Sequence, residues 1–188
     1  METLSSLQNH FLIAMPTLDD PFFQRSVTYI CEHNEDGAMG LVVNQPVDLT
    51  VGGLLKQLEI VVPDASKTLD LPVYAGGPLA RDRGFVLHAP VDHWRSSLRL
   101  SDDFMITTSK DILESMGQGT PPDKFILTLG YAGWDAGQLE QELAENSWLT
   151  IPADPDILFN TPVRERWQKA AARLGIDVWQ LGPDVGHA

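Results

Sequence analysis

The chain has 188 residues, 43% of them hydrophobic and 21% charged, enough apolar material for one packed core and too much for a disordered or fibrous chain. Thirteen Lys and Arg against 26 Asp and Glu give a net charge of −13, and a field of that sign repels phosphate backbones and anionic headgroups. Cys31 is the only cysteine, which excludes an intramolecular disulfide and a Cys-rich zinc module.

Met1 to Pro16 carries no basic region, and its apolar run from Phe11 to Met15 is too short for a signal sequence. No stretch approaches the roughly 20 apolar residues that span a bilayer, so the expectation is a soluble, reduced, cytoplasmic protein. Pro and Gly are spread along the chain as turn markers, without repeats or a linker, and residues 1–188 read as a single domain.

The first clear element is a hairpin. Arg25 to His33 is rich in β-formers, Asn34 to Gly37 supplies the turn, and Ala38 to Asn44 runs back. Both faces are mostly apolar, which predicts cover on two sides, and Pro46 is expected to end the pair. Short strands follow at Val73–Ala75, Gly84–Ala89, Phe104–Thr107, Lys124–Gly130 and Trp148–Ile151. Helices alternate with them. Leu54, Leu55 and Leu58 form one stripe, and Ile112, Leu113 and Met116 another between Ser109 as cap and Gly117 as stop. Asp135 and Gln138 have capping-box spacing ahead of Leu139 and Leu143, with Glu140, Glu142 and Glu145 on the outer face. In the last helix Thr161 caps, Pro162 opens and Gly175 closes, while Val163, Trp167, Ala170, Ala171 and Leu174 share one face. Strands first and helices interleaved later argue for an α+β fold, with short, mostly antiparallel strands curling into a pseudo-barrel sheet and helices packed outside.

Four groups of residues carry candidate chemistry. Gly76, Gly77 and Pro78 precede Arg81, Asp82, Arg83 and Gly84, a glycine loop and guanidinium pair that suits an anion. The segment has neither Walker A spacing nor a G-x-G-x-x-G opening a helix, and the alternative is a tight turn using positive φ. Arg81, Arg83, Arg95 and Arg99 make this stretch locally positive, whereas Asp135 to Asp156 holds six acids and no base; the two stretches either serve ligands or attract each other. Cys31 and His33, two apart, share a face on a regular strand, with Gly40 opposite Cys31 and Ala38 opposite His33. Such a pair makes a thiolate nucleophile or redox sensor, against the bland alternative of a small buried side chain. His10, His33, His88, His93 and His187 show no metal-ligand spacing, and no metal or cofactor is expected. Ser26, Thr107, Thr108 and Ser109 lie outside any G-x-S-x-G elbow, and Asp19–Asp20 and Asp102–Asp103 read as turn residues.

As a set, HFLIAMP (His10–Pro16), SVTYICEHNEDGAMGLVVN (Ser26–Asn44) and GGPLARDRGFVLH (Gly76–His88) resemble the bacterial YqgE/AlgH family. So do ITTSKDILE (Ile106–Glu114), LGYAGWDAGQLEQEL (Leu129–Leu143), NSWLTIPAD (Asn146–Asp154) and the pair Arg166–Trp167. The resemblance implies an α+β domain with a curled, partly split sheet, in a bacterial cytosolic family mostly without assigned activity. One branch of that family is named as a transcriptional regulator of alginate synthesis. It supplies no catalytic residues, and its motif positions Cys31, His33, Asn34, Asn44, Gly76, Gly77, Pro78 and Arg83 are places to look. The leading expectation is a noncatalytic binding or indirectly regulatory protein, whose partner is a protein or a small anionic ligand. The alternative is an enzyme acting on a small anion through Cys31 and His33. Direct regulation on DNA stands third, opposed by the charge and by the lack of a helix-turn-helix signature.

Overall fold

The computed structural model describes residues 6–62, 67–91, 94–118, 122 and 124–175. The apolar run near the start forms β1 (His10–Ala14), which sends Phe11 and Ile13 into one core and Leu12 and Ala14 into another. A strand covered on both faces shows no polar alternation, which is why composition alone does not mark it.

The expected hairpin forms as β2 (Val27–Asn34) and β3 (Gly37–Val42), joined by Glu35 and Asp36 alone. It is covered on two sides, as its composition predicts. Ala38 lies opposite His33, but the ladder runs Ile30↔Gly40 and then Glu32↔Met39, so Cys31 is the extra residue of a β-bulge. Pro46 opens β4 (Pro46–Thr50), which among the described residues pairs only with β5 (Pro72–Ala75) and so tolerates a missing N–H. Thr50 Oγ1 accepts from Gly53 N–H and caps α1 (Val51–Gln57), which buries Val51, Leu54 and Leu55 while Leu58 falls beyond its end.

The remaining strands are β6 (Leu79–His88), β7 (Ser97–Arg99), β8 (Met105–Thr107), β9 (Phe125–Asp135) and β10 (Trp148–Pro152). The sequence marks the buried portion of β6, whose first half is exposed, and the first part of β9, whose end from Tyr131 to Asp135 alternates buried Ala132 and Trp134 with exposed Gly133 and Asp135. Between them stand α2 (Lys110–Gly117) and α3 (Gln138–Ala144). Ser109 is the N-cap residue of α2, though its hydroxyl donates to the Asp111 carboxylate and accepts from Ser96 N–H rather than capping the helix's own N–H groups. The Asp135–Gln138 spacing is used in one direction, with Gln138 Oε1 accepting from Asp135 N–H at 2.9 Å.

Beyond β10 come α4 (Pro155–Phe159), which the sequence reading lacks, a 3₁₀ turn at Val163–Glu165, and α5 (Arg166–Ala172). The last helix is therefore shorter than expected: Thr161 Oγ1 donates to Asp156 O, and Leu174 lies in the closing turn before Gly175 at φ 71°. Its buried face holds Trp167, Ala170 and Ala171, and Trp167 Nε1 donates to Ala14 O at 2.8 Å, tying α5 to β1.

The strands of the described residues form one 10-stranded sheet in the order β10-β1-β2-β3-β9-β6-β8-β7, with β4 and β5 off this path. Strand β9 is the hub. Its Ala132–Asp135 end pairs with β3, its first part pairs with β6, and β5 runs parallel to it through Tyr74↔Thr128 and Ala75↔Leu129. Every other pairing among the described residues is antiparallel. The sheet curls into a half-barrel with helices outside, a single α+β domain as expected. Helices α4 and α5 cover the largest core, α1 and α2 a second, and α3 a third against Trp134 and Trp148. No helix among the described residues is long and apolar enough to cross a membrane.

Candidate functional site

The bulge decides the fate of the Cys31–His33 pair. On a regular strand both point to one face; with an extra residue inserted, Cys31 joins Tyr29 and Val27 in the core under α4 and α5. His33 goes with Ala38 to the opposite face and meets α3. Gly40 consequently stands opposite Ile30 rather than Cys31. Burial pushes the Cys31 thiol up to about 12, with the nearby Glu32 charge a lesser cause.

His33 has both ring nitrogens engaged. Leu7 N–H donates to Nδ1 at 2.9 Å, and Nε2 lies 2.7 Å from Glu140 Oε1. Since Nδ1 accepts, the proton of the neutral ring sits on Nε2 and points at the carboxylate. Glu142 is held just as firmly: its Oε1 accepts from the indole nitrogens of Trp134 and Trp148, each at 3.0 Å, and its Oε2 from Gln138 Nε2 at 2.9 Å. Glu140 and Glu142 thus turn toward the sheet, correcting the expectation of an outward acidic face.

Gly76 and Gly77 are buried, and neither has positive φ. Glycine is required there by close approach: a Cβ on Gly77 would stand 1.9 Å from Tyr131 C, and one on Gly76 2.3 Å from Gly130 O. Gly76 N–H donates to Leu129 O and its carbonyl accepts from Val42 N–H, each at 2.8 Å, so the loop bridges β9 and β3. Pro78, Arg81 and Arg83 are exposed, and the Arg83 guanidinium lies 5.4 Å from the centre of the Phe85 ring. Arg99 pairs with Asp102 at 3.7 Å. The acidic stretch takes its partners elsewhere, with Asp154 and Asp156 meeting Lys169 and Arg173. Among the described residues the arginine-rich and acidic stretches do not pair.

The two asparagines hold turns. Asn34 Oδ1 accepts from Asp36 N–H in the hairpin, while Asn44 accepts from Val27 N–H and donates to Arg25 O, each at 2.8 Å. His88 is buried, with Nδ1 donating to Ala89 O at 2.8 Å and Nε2 2.7 Å from Thr107 Oγ1; burial lowers its pKa against the opposing effect of the Ala89 carbonyl. Asp20 accepts from Phe22 and Phe23 N–H, a turn role as read. His93 and His187 lie outside the described residues. Among the described residues no three His, Cys, Asp or Glu side chains gather as a metal site. Sequence reasoning missed Glu142, whose partners are indoles on two strands, and Arg166, a buried cation that the Arg166–Trp167 pair signals only as a motif.

These features define a class: an α+β domain on a curled, largely antiparallel sheet, with its cysteine buried in the core and the hairpin histidine bound to Leu7 and Glu140. The sequence matches the AlgH-like family, DUF179, over residues 11–179, and the chain belongs to that family. It is 66% identical to a UPF0301 protein of Idiomarina loihiensis and 60% identical to one of Pseudoalteromonas translucida, covering 98% of this chain and 100% of each relative. The solution structure of the AlgH protein from Pseudomonas aeruginosa is similar with a TM-score of 0.79 at 48% identity, over 100% of both chains. A Corynebacterium diphtheriae crystal structure shares the fold with a TM-score of 0.69 at 23% identity, over 92% of this chain and 90% of that one.

Proposed function

We propose that this is a noncatalytic binding protein of the cytoplasm that regulates indirectly, engaging a partner through the face of Gly76, Gly77, Pro78, Arg81 and Arg83 beside the Cys31 hairpin. The observation that carries it is the division of labour around β6. Gly76 and Gly77 lock the loop against β9, and the same segment then presents Arg81 and Arg83 to solvent. A rigid base under exposed guanidinium groups is how a recognition surface is held at low entropic cost.

Chemistry at Cys31 and His33 has less support, because the bulge sends them to opposite faces and His33 has both nitrogens engaged. Action directly on DNA is opposed by the charge of −13. The test is affinity capture with the intact protein, followed by identification of what is retained, in parallel with Arg83→Ala. Loss of one defined partner at unchanged melting temperature supports the reading. Equal retention by both proteins, or retention of nothing, overturns it.

A further inference from the structure

Arg166 opens α5 yet is only 6% exposed. Its Nε donates to Thr161 O at 3.2 Å and its Nη1 to Val43 O, while the guanidinium lies 5.3 Å from the centre of the Tyr74 ring. These two bonds use two of the five N–H hydrogens of a guanidinium. Among the described residues no carboxylate pairs with it. An arginine cannot shed its charge at physiological pH, and its place at the start of a helix sets it against the positive end of the helix dipole. Buried charges are ordinarily paired, and among the described residues this one has no countercharge.

The guanidinium lines a cavity of about 200 Å³ with Tyr74, Lys124, Phe125, Leu158 and Phe159 among its walls. Among the described residues two cations and no acid line it, in a chain of net charge −13. Asp154 and Asp156 in the α4–α5 corner are already matched, since Asp156 takes Lys169 and Arg173, and Asp154 takes Arg173. Lys124 stands at the exposed rim, its Nζ 3.4 Å from Asn160 Oδ1. The remaining wall is aromatic and aliphatic. A guanidinium with free donors at the bottom, an ammonium at the rim and apolar sides fit a compact anion with an apolar body.

We infer that this cavity between β5, β9 and the α4–α5 corner binds a small organic anion, its carboxylate facing Arg166 and Lys124 and its apolar body against Phe125 and Phe159. The cavity shares no lining residue with the Gly76–Arg83 face, so the two proposals stand or fall separately.

The test is a titration of the intact ¹⁵N-labelled protein with benzoate, with the uncharged isostere benzamide, and with inorganic phosphate, each up to about 10 mM, the range of weak single-site binding. Benzoate is expected to shift the amides of residues 124–127 and 158–159, with benzamide and phosphate weaker. Lys124→Gln, at an exposed position, weakens benzoate about threefold, as expected of a rim charge. Arg166→Lys keeps the charge, loses the planar fork and weakens it about tenfold, with the melting temperature confirming folding. If Arg166→Lys does not fold, Lys124→Gln and benzamide decide. Benzamide or phosphate matching benzoate, shifts confined to other segments, no binding, or unchanged affinity in Lys124→Gln each overturns the assignment.

Discussion

His33 and Glu140, 107 positions apart in the chain, meet at 2.7 Å through Nε2 and Oε1, while Leu7 N–H occupies the other ring nitrogen. One imidazole thereby fastens α3 to β2 and holds the first described residues down, with Ser6 Oγ donating to His33 O at 2.9 Å as a second latch. His33→Ala should cost about 2 kcal/mol, the range for a hydrogen bond to a charged group, measured by urea unfolding. The same variant should expose Leu7 N–H to hydrogen exchange. Retained protection at Leu7 would contradict the latch.

The buried thiol gives a chemical prediction. With Cys31 raised from 9.0 to about 12, its thiolate population near pH 8 falls about a thousandfold, and a disulfide reagent should react slower by that order with native than with urea-unfolded protein. A native thiol reacting within tenfold of the unfolded one would restore the nucleophile reading. The linkage has a definite sign. The unfolded thiol loses its proton near pH 9 and the folded one does not, so the unfolded state binds fewer protons and stability falls as pH rises from about 9 toward 12. Tyr29, also raised by burial, adds to the same alkaline loss, so Cys31→Ala should flatten only part of it.

How much of this was legible in the sequence depends on where the deciding atoms lie. The hairpin was readable because β-branched runs and an Asn-to-Gly turn are local signals. The bulge was not, because Tyr29, Ile30 and Cys31 are apolar in either register. The choice is made across the sheet, where Gly40 lets β3 close on Thr28 and Tyr29: a Cβ there would stand 2.8 Å from Thr28 Cγ2 and 2.9 Å from Tyr29 O. Glu140 and Glu142 read as a solvated face since charge on a short helix normally is one, and only donors from β2, β9 and β10 reverse that. Arg166 enters the sequence only as half of the Arg166–Trp167 motif, and its burial is a tertiary fact. The glycine doublet Gly76–Gly77 was visible as special, but its cause, contact with β9 rather than a left-handed turn, is a tertiary fact.

That distinction between close approach and backbone angle can be measured with paired substitutions. Gly77→Ala places a Cβ within 2.1 Å of the Tyr131 carbonyl, backbone that cannot swing aside, and should cost about 4 kcal/mol or prevent folding. Gly137→Ala meets nothing within 4 Å and suffers only from φ 78°, worth about 1–2 kcal/mol. Equal costs for the two would show that the glycine loop is not wedged against β9.

Glu142 supports the third core by accepting two indole N–H groups on one oxygen, beneath a cluster in which the Trp134 and Trp148 ring centres stand 6.3 Å apart and Phe23 packs edge-on against Trp148 at 5.7 Å. Removing the acceptor leaves two buried donors unpaired, and Glu142→Ala should cost about 3 kcal/mol by denaturant unfolding. Glu142→Gln keeps a carbonyl oxygen for both indoles; its new N–H₂ faces Gln138, which can accept from it only by flipping its amide and giving up the exposed bond from Asp135 N–H, so the cost should stay near 1 kcal/mol. The indole proton resonances separate the mechanisms, because both should shift in the alanine variant and hold nearly still in the glutamine one. If the two variants are equally destabilised, the negative charge rather than the shared acceptor supports this core, and the field of Glu142 on neighbouring groups becomes the quantity to explain.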